Sequence, residues 1–143
     1  MLIGHVLKDK GGDVHTLRAD ATLAQAALEL EARKVGALVV TDGMGGIAGV
    51  FSERDLVREI ARRGGAALQD TVSTAMSRGV ITATPDETVD DGLARMTDRR
   101  IRHLPVVEGG RLMGIVSIGD LVKLKIAKEE AEAAAMQAYI AAG

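Results

Sequence analysis

Gly49-Val-Phe-Ser-Glu-Arg-Asp55 recurs later in the sequence as Gly114-Ile-Val-Ser-Ile-Gly-Asp120. In each segment a short apolar run leads into Ser-x-x-Asp, which predicts a strand that passes directly into a helix. Around these segments, residues 14–60 align with residues 80–125, and most substitutions between the two copies keep polarity. Self-similarity over this length indicates an internal duplication, and the duplication decides the fold.

Each copy is predicted to run strand, helix, strand, strand, helix. Thr22 and Thr88 are typical helix N-caps, each followed three residues later by a side chain that can accept a hydrogen bond. Short buried strands follow at residues 37–40 and 104–107, and glycine-rich turns join each of them to the next strand. One copy of about 47 residues has too small an interior to be stable alone. We therefore expect an α+β fold in which two β-α-β-β-α repeats pack about a pseudo-two-fold axis into one globule.

The predicted organisation also includes an extended C-terminal helix, because the tail contains only helix formers and no proline. Apolar residues recur along this tail at intervals of three to four, so it packs either on a second subunit or back on its own domain. The predicted parts are an N-terminal arm, the first repeat, a connector, the second repeat and the helical extension, at residues 1–13, 14–63, 64–79, 80–126 and 127–143.

Composition excludes several functions. The chain has 143 residues, and 18 Lys+Arg against 20 Asp+Glu give a formal net charge of −2, which argues against nucleic-acid binding. Without cysteine there is no thiolate catalysis and no cysteine-based metal site, and the three histidines lack metal-ligand spacing. No apolar run approaches the ~18 residues of a membrane span. We therefore expect a cytoplasmic protein with no metal, nucleic-acid or membrane partner.

The two Ser-x-x-Asp segments have two physical interpretations. A Ser N-cap with Asp in the first turn is close to a capping box, which stabilises the helix by ~1 kcal/mol and implies no ligand. The same geometry suits a nucleotide, because free N–H groups at a helix N-terminus attract phosphate and a carboxylate accepts ribose hydroxyls. Neither serine has a histidine nearby in the sequence, so no nucleophile is indicated and we expect no enzymatic activity.

One feature differs between the copies. Arg102 and His103 stand where the first copy has Gly36 and Ala37. The basic pair is either a surface arginine beside a hydrogen-bonded histidine at a strand edge, or a set of cationic donors to an anion. In the second case the two potential sites would differ in affinity.

Taken together, these motifs resemble a tandem pair of cystathionine β-synthase (CBS) domains. The resemblance covers about residues 14–126 and rests on two copies of Val-x-Thr, Asp-x-Thr and Gly-h-h-Ser-x-x-Asp, where h is hydrophobic. The N-terminal arm, the Phe-Ser-Glu-Arg-Asp element and the long C-terminal helix further resemble stand-alone bacterial CBS-pair proteins. Such a resemblance implies a regulatory module that usually forms a homodimer and binds AMP, ADP, ATP, NAD(H) or S-adenosylmethionine. AMP is the ligand expected first.

The resemblance also implies two ligand clefts, each joining Ser and Asp of one repeat with residues of the other. The first cleft takes ribose at Ser and Asp, adenine at the start of the second repeat and phosphate at the basic pair; its residues are Val50, Ser52, Arg54, Asp55, Val80, Ile81, Arg102 and His103. The second cleft lacks a basic pair, which puts its phosphate binding in doubt; its residues are Val14, His15, Gly36, Ala37, Ile115, Ser117 and Asp120.

The predicted function is therefore a non-enzymatic adenosine-ligand sensor. Because no catalytic or channel segment accompanies the repeats in this sequence, we expect it to signal in trans to an unidentified regulated protein. The alternative is a structural dimerisation module whose nucleotide clefts are degenerate. Retention of both Ser-x-x-Asp segments and of the basic pair favours the sensor.

Overall fold

The computed structural model describes residues 1–11 and 14–143, and these fall into two compact units. One unit is Val14–Ile81, and the other is Thr82–Gly143 together with the N-terminal helix. The connector is therefore part of the first unit, and the N-terminal arm is part of the unit that holds the second repeat. Of the arm expected at residues 1–13, residues 12 and 13 lie outside the described residues.

The first unit contains a three-stranded sheet in the order β1-β2-β3, with β1 parallel and β3 antiparallel to β2. Its elements are β1 (Thr16–Arg18), α2 (Leu23–Arg33), β2 (Ala37–Thr41), β3 (Ile47–Ser52), α3 (Glu53–Arg63) and two 3₁₀ helices (Gly64–Gln69 and Val72–Thr74). All four of residues 37–40 are buried, as predicted for a strand covered on both faces. Phe51 of β3, fully buried, lies in the core with residues of β1, α2 and the 3₁₀ helices.

The second unit repeats the helix-strand-strand-helix part of this order around an antiparallel pair of strands. Its elements are α1 (Ile3–Lys10), α4 (Val89–Arg99), β4 (His103–Glu108), β5 (Arg111–Ser117) and α5 (Ile118–Ala142). Both hairpins have an irregularity at the equivalent point, between Val40 and Thr41 and between Val106 and Val107. The first helix of each repeat also ends at a residue with a left-handed backbone conformation, Lys34 in one and Arg100 in the other. The duplication therefore extends to details of backbone geometry.

The expectation that each copy begins with a strand is wrong for the second copy. Ala83, the counterpart of Leu17 in β1, forms only an isolated parallel bridge with Val106. The ladder stops there because the next donor toward β4 would be the N–H of residue 85, and Pro85 has none.

A different segment covers the second hairpin strand of each repeat. In the first unit, Ser77 exchanges backbone hydrogen bonds with Val50, and a Cβ on Gly49 would lie 2.6 Å from the Ser77 carbonyl oxygen. In the second unit, α1 lies over β5, and a Cβ on Gly114 would lie 2.8 Å from a Leu7 methyl carbon. Glycine at both positions thus permits a close approach, to the connector in one unit and to α1 in the other.

The fold class is confirmed as α+β with two CBS-like repeats and a long C-terminal helix. The helical tail is also confirmed, since α5 runs unbroken for 25 residues to Ala142. None of the helices in residues 1–11 and 14–143 combines the length and the hydropathy that a membrane span requires.

Candidate functional site

The candidate site residues lie at the two strand-to-helix junctions, β3–α3 and β5–α5. Ser52 and Ser117 are the helix N-caps, and each side chain accepts a hydrogen bond from the backbone N–H three residues on. In return, the carboxylates of Asp55 and Asp120 accept a hydrogen bond from the serine backbone N–H, at 2.9 Å and 2.8 Å respectively. The capping interpretation is therefore confirmed at both junctions, and it fixes each carboxylate beside a helix N-terminus.

Asp55 is almost completely buried and uses both of its carboxylate oxygens. Its Oδ2 accepts from the Ser52 N–H and from the Ser52 hydroxyl at 3.1 Å, while its Oδ1 lies 3.0 Å from Nη1 of Arg58. The Asp55 side chain is 8% exposed and that of Arg58 is 47% exposed, so the pair presents its guanidinium to solvent. A carboxylate offers about four acceptor positions, and three are occupied here.

Asp120 is more open and has a different cation. Its Oδ2 accepts from the Ser117 N–H and from Nζ of Lys10 at 2.7 Å, and its side chain is 26% exposed. Burial opposes ionisation of this carboxyl, but the hydrogen bonds from Lys10 and Ser117 and the Lys10 charge outweigh it, so the pKa of Asp120 lies below its usual range. Both of these contacts are made through Oδ2.

Each of these cations also binds a backbone carbonyl. Arg58 donates to the Ala75 carbonyl of the connector at 3.0 Å. Lys10 donates to the Ile115 carbonyl of β5 at 3.1 Å, whereas the equivalent carbonyl of Val50 accepts from the Ser77 N–H. Each carboxylate is thus joined through its cation to the segment that covers its own repeat.

Neither cation was identified from the sequence. The i,i+3 spacing of Asp55 and Arg58 on one helix is a signal that could have found the first. Lys10 lies 110 residues from Asp120 in the chain, and no sequence pattern links them.

The residues that differ between the copies lie beside the junction of their own repeat. Ala37 pairs with Ser52, and the Gly36 carbonyl accepts from the Glu53 N–H at 2.9 Å. In the second unit His103 pairs with Ser117, and the Arg102 carbonyl accepts from the Ile118 N–H at 2.8 Å. The Arg102 side chain is exposed and His103 is half-buried.

The other predicted residues occupy the flanks of the junctions. Val50 and Ile115 are half-buried strand residues two positions before the caps, and the Arg54 side chain is exposed on the first turn of α3. The remaining predicted residues precede the first strand or bridge of each repeat: Val14 and His15 before β1, Val80 and Ile81 before Ala83. The structure therefore brings together the wall residue, Ser and Asp at each junction, whereas all four pre-strand residues belong to the first unit. The grouping of residues from different repeats into one cleft stays a prediction.

The chemistry of each junction is that of a polar binding site. A helix N-terminus and a carboxylate suit a phosphorylated sugar, while a half-buried Val or Ile offers an apolar surface to a base. Among residues 1–11 and 14–143 there is no cluster of His, Asp and Glu side chains that could hold a metal ion.

Comparison with known proteins gives a consistent family. A family profile described as the CBS domain matches residues 6–62 and again residues 72–126. The chain is similar to the mitochondrial CBS domain-containing protein CBSX3 of Arabidopsis thaliana, with 34% identity over 149 residues that cover 99% of this chain and 72% of that protein.

Solved structures agree with the sequence comparison. The crystal structure of the CBS-domain containing protein ATU1752 from Agrobacterium tumefaciens matches with a TM-score of 0.84 and 46% identity, covering 87% of this chain and 99% of that chain. The CBS domain pair of protein MJ0100, crystallised with 5′-methylthioadenosine and S-adenosyl-L-methionine, matches with a TM-score of 0.75 and 26% identity over 90% of this chain and 98% of that chain.

Proposed function

This chain belongs to the CBS-domain family, and from that premise we propose that it is a non-enzymatic sensor of adenosine-containing ligands. Ser52 and Asp55 hold the ribose of one ligand, and Ser117 and Asp120 hold that of a second. AMP is the first candidate ligand, with ADP, ATP, NAD(H) and S-adenosylmethionine as the others. Ligand binding in the cytoplasm is then read in trans by a regulated protein.

The observation that carries this proposal is the pair of carboxylates held beside helix N-termini by reciprocal caps. A carboxylate in this position accepts hydroxyl hydrogen bonds, and the adjoining N–H groups favour an anion. The MJ0100 pair, which matches over most of this chain, was crystallised with two adenosine compounds. That precedent supports the ligand class.

The grouping of the phosphate donors is part of the proposal. By family resemblance, Arg102 and His103 serve the Asp55 site, joined by Arg54, Val80 and Ile81, whereas Val14, His15, Gly36 and Ala37 serve the Asp120 site. The Asp120 site then has small residues where the other has a basic pair, which predicts weaker phosphate binding there.

A thermal-shift series with AMP, ADP, ATP, NAD(H) and S-adenosylmethionine tests the proposal. One ligand at about 100 times its Kd adds about 2.7 kcal/mol of stability, so the Tm should rise by roughly 5–15 °C. Circular dichroism at 222 nm is the suitable probe, because the chain has one Tyr and no Trp. If no adenosine compound at millimolar concentration moves the Tm by a degree, the sensor proposal is wrong.

The second candidate function, a structural dimerisation module, is favoured by the outer part of α5. Every residue from 126 to 143 is exposed, including Met136 at 59%, Tyr139 at 78% and Ile140 at 69%. Apolar side chains on an isolated helix favour a partner, and we propose that a second copy of the chain covers them.

Light scattering after gel filtration tests the dimer. Ile140→Glu should shift the mass from dimer toward monomer, while Ala138→Glu, on the opposite side of the helix, should leave it unchanged. A dimer that withstands Ile140→Glu would show that α5 is not the interface. A dimer that binds no adenosine ligand would favour the structural module over the sensor.

A further inference from the structure

Lys10 occupies one of the two carboxylate oxygens that the proposed Asp120 site would offer to ribose. Its Nζ lies 2.7 Å from Oδ2 of Asp120 and 3.1 Å from the Ile115 carbonyl oxygen. The Lys10 and Asp120 side chains are 33% and 26% exposed, so solvent and ligands reach the pair from outside.

The two carboxylates differ in how Oδ2 can be made available. At Asp55, one of the two hydrogen bonds to Oδ2 comes from the Ser52 hydroxyl, and rotation of that hydroxyl frees an acceptor position. At Asp120, Oδ2 accepts from the Ser117 backbone N–H and from Lys10. The backbone donor is fixed by the helix cap, so a ribose hydroxyl gains Oδ2 only when Lys10 leaves.

Helix α1 is anchored in a way that allows this departure. At its N-terminal end, the Ile3 and Gly4 N–H groups donate to the Glu87 and Pro85 carbonyls at 2.9 and 2.8 Å. Ile3 and Val6 are also buried. Leu7 then packs on Gly114 of β5. Beyond Leu7 the helix is held through the Lys10 side chain, and an ion pair of this exposure contributes only modest stability. Lys10 can therefore detach while the first turn of α1 stays in place.

We propose that Lys10 is a displaceable internal competitor at the Asp120 site, and that ligand binding there releases the C-terminal turn of α1. This inference rests on the proposed adenosine-binding function. It makes Lys10 an affinity-determining residue, because a ribose diol that places one hydroxyl on each carboxylate oxygen must replace the ammonium group at Oδ2. It also gives the second site an output that the first lacks, namely the release from β5 of the part of α1 that follows Leu7.

Adenosine is the sharpest probe, because it has the ribose but no phosphate. We expect isothermal titration of the full chain with adenosine to resolve two sites, of which Asp120→Asn removes the weaker. Lys10→Met should tighten that weaker site by up to about fivefold, which is the upper end of the range for an exposed ion pair converted to affinity. The matched control is Lys8→Met, an exposed residue of the same helix, which should change neither site.

The same titration with AMP separates displacement from direct phosphate binding. If Lys10→Met weakens AMP binding and leaves adenosine unchanged, Lys10 is a phosphate contact and the competitor role is wrong. If Lys10→Met leaves both ligands unchanged while two sites are resolved, the inference fails and the proposed function stands. If the wild-type chain binds no adenosine compound, the proposed function fails and the displacement step fails with it.

Amide hydrogen exchange in residues 7–11 provides a readout that needs no ligand. Asp120→Asn should speed exchange in this segment relative to residues 3–6, because the amide holds the ammonium group more weakly than the carboxylate does. Saturating adenosine should produce the same local acceleration in the wild-type chain. Unchanged exchange in both cases would overturn the inference, and Lys10→Gln repeats the comparison if Lys10→Met lowers the yield of folded protein.

Discussion

Replacing each junction aspartate with asparagine should destabilise the ligand-free protein by different amounts. Asp55 is buried, and both of its carboxylate oxygens have partners: Oδ2 accepts from Ser52, and Oδ1 pairs with Arg58. An asparagine there must turn its NH₂ group toward the Ser52 N–H and hydroxyl or toward the Arg58 guanidinium. A buried donor that faces another donor costs about 1–3 kcal/mol.

Asp120 makes both of its contacts through one oxygen. An asparagine can therefore point its carbonyl oxygen at the Ser117 N–H and Lys10 and turn its NH₂ group away. It loses only the charge-assisted part of those bonds and part of the helix-dipole interaction, about 0.5–1 kcal/mol. At Asp55, the substitution also weakens the attraction to Arg58. We therefore expect Asp55→Asn to cost roughly 2–3 kcal/mol and Asp120→Asn less than half of that.

The assay is thermal and urea unfolding of the ligand-free variants by circular dichroism. Asp55→Asn should lower the Tm by roughly 5–12 °C and Asp120→Asn by roughly 2–4 °C. In an Arg58→Met background, the cost of Asp55→Asn should fall, because the NH₂ group then has a side free of positive charge. Equal costs at the two positions, or a cost of Asp55→Asn that is unchanged in the Arg58→Met background, would show that the contacts of Asp55 do not set this difference.

Three further outcomes follow from single contacts. In urea unfolding, Gly49→Ala should destabilise the first repeat by about 1–3 kcal/mol, because the new Cβ would lie 2.6 Å from the Ser77 carbonyl oxygen. The control Gly65→Ala should be nearly neutral, because its Cβ would have no atom within 4 Å. Because the pKa of Asp120 is lowered, its carboxylate stabilises the fold above the unfolded pKa near 3.8, and this stabilisation is lost as pH falls through the folded pKa. In acid unfolding, the stability difference between wild type and Lys10→Met should therefore be constant above about pH 5 and shrink below pH 3.8. Arg102→Ala should weaken AMP at one calorimetric site by about tenfold or more and leave the other unchanged, with Arg111→Ala as the control, and equal loss at both sites would contradict the assignment of Arg102 to one ligand.

Local signals account for what the sequence predicted correctly. The duplicated Ser-x-x-Asp segments predicted both strand-to-helix junctions because an N-cap and its first turn lie within four residues of each other. The turns at residues 42–46 and 109–110 were predictable for the same reason: glycine supplies the positive φ that Gly43, Gly45, Gly109 and Gly110 adopt. The reduction of the strand before α4 to a single bridge also has a local cause, because Pro85 lacks the N–H that the next ladder hydrogen bond would need.

From the sequence alone one could derive two repeats that share a helix-strand-strand-helix order, and an aspartate at the start of the last helix of each. Tertiary structure decided which cation each aspartate would meet. Asp55 pairs with Arg58 on its own helix, while Asp120 pairs with Lys10, from a helix at the other end of the chain. The physical reason is the covering segment: the connector lies against β3 at Gly49, and α1 lies against β5 at Gly114. Two equivalent carboxylates thus acquire different partners because packing between distant segments, unlike capping, leaves no periodic trace in the sequence.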